Sequence, residues 1–160
     1  MSEITEMMIY DMAFRVRLYI ASKLYENKQI QDLNDRETLL LELVGTKGRM
    51  SISEIGNFYP RVSSSTISTT ITGLWKDKQL VEKKILPENQ RITTVNLTEK
   101  GQEVLGQIKK KQSHVFKTIT ASLELSGGQS ESFQKLLGNA IGFFDDLLGL
   151  ELNEPPVLGA

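Results

Sequence analysis

The sequence has no cysteine, one histidine and one tryptophan among its 160 residues. Without cysteine, disulfides, thiolate metal sites and thiol redox sensing are excluded, and one histidine is too few for a transition-metal site. No apolar run approaches the roughly 20 residues that a membrane span needs. The first residues are acidic where a signal peptide would be basic, so we expect a cytoplasmic protein without membrane contacts.

Arrangements that support catalysis are missing as well. There is no glycine-rich phosphate loop, and Gly127–Gly128 reads as an isolated break between helices. A serine nucleophile needs a histidine base, and His114 lies in a lysine- and glutamine-rich stretch without a nucleophile-elbow motif. We therefore expect no catalytic residues, no metal, no cofactor and no enzymatic activity.

Positive charge is concentrated in one part of the chain, although the net charge is only −1. Residues 61–91 hold six Lys or Arg against three Asp or Glu, which gives +3. Residues 1–60, with seven against nine, and residues 92–160, with six against eight, each carry −2. This local asymmetry favours contact with phosphate groups, and its modest size predicts salt-sensitive binding.

A hydroxyl-rich helix is predicted inside this positive segment, with Ser63 or Ser64 as its N-cap. Apolar residues recur at helical spacing and form its inner face: Val62, Ile67, Ile71 and Leu74. Hydroxyl groups cover the outer face: Ser64, Ser65, Ser68, Thr69 and Thr72. Serine and threonine are mediocre helix formers, so helix propensity does not explain this composition.

Two strand-like runs follow this helix, Val81–Leu86 and Ile92–Leu97, with the polar turn Pro87–Arg91 between them. A helix that fits the DNA major groove, followed by a hairpin with a basic tip, is the pattern of a winged helix-turn-helix. DNA binding is therefore the leading hypothesis for the function.

Two capping patterns, Asn34–Glu37 and Ser51–Glu54, predict the helices that precede the hydroxyl-rich one. Met50–Ile52 is expected to form a short strand between them. The first of these helices is expected to turn four residues inward: Leu39, Leu40, Leu43 and Val44. Two glycines, Gly45 and Gly48, are expected to end it.

Long helices are predicted on both sides of the winged segment. Met7–Tyr25 is apolar on two sides, so its second side is expected to meet another subunit. Thr98 caps a helix that runs to about Leu123, and Ser126–Gly128 breaks the pattern. Ser130–Leu148 then carries apolar residues at i, i+3, i+4 and i+7.

The predicted fold class is mainly α with a small β-hairpin wing, a winged helix-turn-helix joined to a helical dimerisation region. The expected domains are an N-terminal dimerisation helix (1–32), a winged helix-turn-helix domain (33–100) and C-terminal helices (101–150). A tail of residues 151–160 follows, and its Pro155 and Pro156 do not favour helix.

These motifs resemble the MarR family (multiple-antibiotic-resistance regulators). The matching segments are Val62–Ser68, Leu74–Lys84, Pro87–Arg91 and Val95–Gly101. The resemblance implies a homodimer in which the N-terminal helix and the C-terminal dimerisation helices (101–150) interlock. The two DNA-reading helices of this dimer lie about one DNA turn (~34 Å) apart on a pseudo-palindrome. It also implies transcriptional regulation, often repression that a small aromatic or anionic ligand relieves from a site between the DNA-reading domain and the dimer helices.

The chain departs from the family pattern at the wing and on the recognition helix. Asn89 stands where the family usually has an aspartate that forms an ion pair, although asparagine stabilises turns through its own side chain. Gln79 stands where the family often has glycine. The hydroxyl-rich helix also lacks the Arg or Gln that gives bidentate base contacts, so we expect reliance on phosphates, thymine methyls and DNA shape.

The candidate DNA contacts combine the hydroxyl face with nearby cations: Arg61, Ser64, Ser65, Ser68, Thr69, Thr72, Lys76, Lys83, Lys84 and Arg91. A solvated polar face is the alternative interpretation of this set. The candidate effector pocket joins residues of the first helix to the only tryptophan: Tyr10, Phe14, Arg17 and Trp75. Dimer-interface core for the first three and ordinary packing for Trp75 are the alternatives.

Two other functions compete with a DNA-binding regulator. The missing bidentate residues and the acidic overall balance also suit a winged-helix protein-interaction module, or an antagonist with weak DNA binding. A protein whose main task is small-molecule capture is the third hypothesis. Salt-dependent retention of DNA separates the first hypothesis from the second, and a ligand-dependent thermal shift without any DNA effect indicates the third.

Overall fold

The computed structural model describes residues 3–24, 30 and 32–149. Its elements are α1 (Glu3–Leu24), α2 (Asp35–Lys47), β1 (Met50–Ser51), α3 (Ile52–Asn57), α4 (Ser64–Lys76), β2 (Val81–Leu86), β3 (Asn89–Leu97), α5 (Glu99–Ser122) and α6 (Gly127–Leu148). The predicted fold class, mainly helical with a small β-hairpin, is confirmed. The predicted helix end at Tyr25 and the tail 151–160 lie outside the described residues.

Local capping places the helices around α4. In both predicted capping boxes the cap and the glutamate three residues later hydrogen-bond each other: Asn34 with Glu37, and Ser51 with Glu54. The Ser51 backbone N–H donates a hydrogen bond to Glu54 Oε2. This bond is the main reason that the pKa of Glu54 lies below its usual range. Ser63 rather than Ser64 caps α4, since its Oγ accepts from the Thr66 N–H at 3.2 Å.

The core lies beneath α4 and draws on α2, α3, the sheet and the first half of α5. Leu41 is fully buried in it, whereas Leu39 is 54% exposed, so the expectation that Leu39 faces inward was wrong. The buried face of α2 is formed by Glu37, Leu40, Leu41 and Val44, and 100° per residue turns Leu39 to the opposite side.

Glycine ends α2 at one position only. Gly48 is the C-cap, with φ 79°. Gly45 lies inside the helix, contrary to expectation. A side chain at this position would collide with Leu105 of α5. The packing of α2 against α5, rather than helix termination, therefore accounts for Gly45.

The three strands form an antiparallel sheet in the order β1-β3-β2. Leu86 pairs with Asn89, so the hairpin turn is Pro87–Glu88 and the predicted longer turn to Arg91 was wrong. Two features let β3 begin early: an irregularity in β2 between Ile85 and Leu86, and a hydrogen bond from the Arg91 N–H to Asn89 Oδ1 at 3.1 Å. Arg91 therefore belongs to a strand and is held beside the tip.

The last helix begins three residues before the predicted start at Ser130. Ser126 is its N-cap, and Gln129 Oε1 accepts hydrogen bonds from the Ser126 N–H and Oγ–H, both at 2.9 Å. The chain reverses at Glu124, which has φ 47°, so the break between the helices does not need the two glycines.

Large apolar side chains on α1 and α6 are exposed in the part of the chain that the structure describes. Helix α6 has no buried residue, and Ile141 and Phe144 are 57% and 55% exposed. On α1, Met7 and Tyr10 are 65% and 68% exposed. Contiguous apolar surface of this kind marks an interaction surface. None of the described helices has the length and apolarity that crossing a membrane requires.

The connection from α4 to β2 requires a left-handed residue, and Gln79 fills that position with φ 58°. This geometry closes α4 through a hydrogen bond from the Leu80 N–H to the Leu74 carbonyl at 2.8 Å. Gly101 of α5 packs so closely against the Leu80 carbonyl that any side chain would collide with it. The backbone conformation at position 79 is therefore one that glycine adopts more readily than glutamine.

Replacing Gln79 with glycine should raise the free energy of unfolding by about 0.5–1 kcal/mol, because only the side chain makes the left-handed conformation unfavourable. Gln90→Gly is the matched control: it removes the same side chain from strand β3 and should lower stability by about 0.5–1 kcal/mol. Urea unfolding of both variants measures the difference. A Gln79→Gly variant less stable than the wild-type protein would contradict the assigned backbone geometry.

Candidate nucleic-acid interface

Helix α4 carries a polar stripe on the side away from the core. The stripe follows i, i+4, i+7 and i+11 spacing and consists of Ser65, Thr69, Thr72 and Lys76. Thr72 is half-buried and the other three are exposed. Ser64 and Ser68 lie beside the stripe, exposed and half-buried respectively. The helix thus presents its hydroxyl face to solvent while its apolar face packs against the core.

The threonine hydroxyls of this stripe donate hydrogen bonds to their own helix. Thr69 Oγ1 donates to the Ser65 carbonyl at 2.9 Å, and Thr72 Oγ1 donates to the Ser68 carbonyl at 2.8 Å. Both hydroxyl protons are then in use, while on Thr69 an oxygen lone pair and a methyl group remain for contacts. Such side chains suit the amino groups of bases and the methyl of thymine.

Strand β2 brings Lys83 to the end of α4, beside Trp75 and Lys76. Lys83 Nζ donates to Thr72 Oγ1 at 3.0 Å and lies 5.0 Å from the centroid of the Trp75 ring. Lys76 Nζ lies 5.4 Å from the same centroid. The structure therefore joins Trp75, predicted as part of an effector pocket, to two of the predicted DNA contacts.

The remaining predicted cations lie around α4 and along the wing, the hairpin of β2 and β3. Arg61 is exposed in the turn before α4, and Arg91 is exposed near the wing tip. Alternation along β2 places Lys84 on the face opposite Lys83. There Lys84 Nζ forms an exposed ion pair with Glu82 at 2.8 Å. Lys84 is the one predicted contact whose charge is partly neutralised by such a neighbour among the described residues.

A residue that sequence reasoning left out of the site, Lys78, anchors α4 to the rest of the molecule. Its Nζ donates to Glu37 Oε2 at 2.7 Å and also to the Asp32 carbonyl. Glu37 is only 7% exposed. On the other side, Lys100 Nζ of α5 donates to the Lys78 carbonyl at 2.8 Å. No sequence signal marks this pairing, since Glu37 reads as a capping residue and Lys78 lies 41 positions away.

The described residues form a groove of about 540 Å³ between α1 and α5, and none of the four predicted effector-pocket residues lines it. The groove is lined by Met8, Asp11, Met12, Arg15, Val16, Tyr19, Val115, Thr118 and Ile119. Tyr10, Phe14 and Arg17 lie on the opposite face of α1 by helical geometry, and Trp75 is at α4. Among the described residues, no group of acidic or histidine side chains has an arrangement that suits a metal ion.

Comparison with known proteins identifies the central segment. Residues 33–101, from just before α2 to the first turn of α5, match a family model described as a winged helix DNA-binding domain. The matched model is a DNA-binding domain and not an enzyme family. No curated protein matches the chain by sequence.

Solved structures of low sequence identity share the fold over most of the chain. FabT of Streptococcus pneumoniae, solved in complex with DNA, is 19% identical, with a TM-score of 0.68 over 90% of this chain and 96% of that one. A MarR family protein from Bacillus stearothermophilus is 15% identical, with a TM-score of 0.73 over 90% and 98%. A MarR-like transcriptional regulator from Thermotoga maritima is 21% identical, with a TM-score of 0.66 over 91% and 98%. The resemblance to the MarR family is confirmed at the level of the fold.

Loss of the Lys78 anchor should destabilise the domain more than loss of an exposed ion pair. Lys78→Met leaves the Glu37 carboxylate buried without its ammonium partner, so unfolding free energy should fall by about 1–3 kcal/mol. Lys84→Met removes the exposed partner of Glu82 and should change it by less than about 1 kcal/mol. Urea unfolding compares the two variants, and equal losses would show that the Lys78 pair does not anchor α4.

Proposed function

We propose that this chain, a winged-helix DNA-binding protein with the MarR-type fold, is a sequence-specific transcription regulator. It acts in the cytoplasm as a homodimer on a pseudo-palindromic operator. The observation that carries the proposal is the solvent-facing hydroxyl stripe of α4, bordered by cations before the helix, at its end and on the wing. DNA bound to FabT, a protein of the same fold, supports this choice of ligand.

In this proposal α4 enters the major groove and the wing reaches the adjacent backbone or minor groove. Serine and threonine contacts discriminate bases through amino groups and thymine methyls, while Arg61, Lys76, Lys83 and Arg91 bind phosphates or the minor groove. Lys84 makes a smaller contribution, because Glu82 offsets its charge. Because phosphate contacts release counterions, binding falls steeply with salt.

The homodimer is supported by the uncovered apolar surfaces of α1 and α6. We assign residues 1–32 and 101–150 to dimerisation and 33–100 to DNA binding, with the first half of α5 also packing into the core of the DNA-binding domain. A twofold axis then repeats α4 about one DNA turn, ~34 Å, away. Repression, and its release by a small aromatic or anionic effector, rest on the family resemblance alone.

Alanine at the wing and on α4 should weaken DNA binding without disrupting the dimer. Arg91→Ala should reduce the slope of log K against log salt by about 0.9 for each phosphate that the arginine binds. Thr69→Ala should reduce sequence discrimination, by about 1 kcal/mol per site. Arg36→Ala removes an exposed cation from α2 and serves as the control, with wild-type affinity expected.

Gel shifts with mixed genomic fragments at low and moderate salt measure these effects. Sedimentation measures whether each variant is still a dimer. If the wild-type protein retains no DNA even at low salt, the protein-interaction module is the better hypothesis. If it binds but both alanine variants match it, the DNA-contacting surface lies elsewhere.

A charge placed on the apolar face of α6 should dissociate the dimer. Ile141→Glu puts an ionised side chain where the partner would bury it, which should weaken association by more than about tenfold. Asn139→Glu adds the same charge on the opposite face of α6 and should leave the dimer intact. Analytical ultracentrifugation over a range of protein concentrations measures both, and an unchanged dimer in Ile141→Glu would place the interface elsewhere.

A further inference from the structure

We infer that Trp75 is a positioning residue for DNA binding, which holds Lys83 and Lys76 ready to contact a backbone phosphate at the C-terminal end of α4. This inference rests on the proposed function and assigns a role inside it. It gives Trp75 a role other than the predicted effector pocket, because the ring lies beside two cations of the DNA-facing surface.

The position of Lys83 is determined from two sides. Its ammonium group donates to Thr72 Oγ1 at 3.0 Å and lies 5.0 Å from the Trp75 centroid, within the roughly 6 Å range of cation–π attraction. Tryptophan gives the strongest attraction of this kind. Thr72 Oγ1 donates to Ser68 at 2.8 Å while it accepts from Lys83, so its hydroxyl is occupied in both directions. Thr72 is therefore assigned to hold Lys83 rather than to read a base.

Lys76 brings a second positive charge to the same ring, with its Nζ 5.4 Å from the centroid. It lies in the last turn of α4, where the helix dipole favours cations. The two ammonium groups concentrate positive charge at this end of α4, and no ion pair within the described part of the chain neutralises either. A phosphodiester beside a groove-bound α4 would supply the opposite charge.

Positioning matters because a free lysine side chain loses rotamer freedom when it binds. Ordering one such side chain lowers affinity by roughly 2- to 12-fold. Because Trp75 already orders the lysines in the folded protein, their side chains lose little further rotamer freedom when DNA binds. Removal of the ring leaves both charges present but mobile. Affinity should then fall while the number of counterions released stays nearly the same, which separates positioning from direct binding of a phosphate.

The test uses the full-length protein and sheared genomic DNA, titrated at several salt concentrations. Trp75→Leu should weaken binding about 5-fold and leave the salt slope nearly unchanged, whereas Trp75→Phe should keep most of the affinity because its ring still attracts cations. Lys83→Met should lower the slope by about 0.9 for each phosphate that the lysine binds. In the Lys83→Met background, Trp75→Leu should have about half its effect or less, because it acts largely through Lys83.

A second measurement uses the fact that Trp75 is the only tryptophan of the chain. Its emission should change when DNA binds, and Lys83→Met should shift the emission of the free protein. Equal thermal stability of the variants shows that folding is intact.

Three outcomes would overturn the assignment. The positioning role is overturned if Trp75→Leu keeps wild-type DNA affinity, or if it lowers that affinity equally with and without Lys83. The proposed function stands in both cases. The assignment also fails if the salt slope falls as far in Trp75→Leu as in Lys83→Met. The lysines would then have lost their phosphate contacts, and not only their order. If the wild-type protein binds no DNA at low salt, the proposed function and this assignment fail together.

Discussion

Burial of the inner face of α4 is the constraint on which the rest of the structure depends. Ile67, Ile71 and Leu74 are each at most 1% exposed, and burial of such side chains contributes about 1.5–3 kcal/mol apiece. Their spacing fixes the rotation of the helix, which leaves Ser65 and Thr69 exposed and Ser68 and Thr72 half-buried on the outer side. The outer surface of α4 is thus determined by what its inner surface buries, although its own residues are mediocre helix formers.

Three contacts fix the far end of α4 against its neighbours. Gln79 closes the helix in a left-handed conformation, Lys78 reaches the buried Glu37 of α2, and Gly101 allows α5 to approach the Leu80 carbonyl. The residues that position this end of α4 therefore also help to place its positively charged side chains. The loop that orients α4 also leads into β2, which carries Lys83 back to Thr72 and Trp75.

Features set by near neighbours in the chain were predictable from sequence. Both capping boxes, the strand Val81–Leu86 and the start of α5 after Thr98 follow local rules, and the structure has each of them. Features that need a distant partner were not predictable. Gly45 reads as a helix end because Leu105 is 60 positions away, and the Lys78–Glu37 pair has no local signal. Sequence spacing likewise gave no sign that the ammonium group of Lys83 on β2 lies beside the Trp75 ring.

In the proposed complex, two copies of α4 related by a twofold axis bind successive turns of one face of DNA. Selection of tight binders from a random duplex pool, followed by hydroxyl-radical footprinting of the selected sequence, tests this geometry. We expect an inverted repeat and two protected patches about 10 base pairs apart. A single asymmetric patch, or a selected site without dyad symmetry, would rule the proposed complex out.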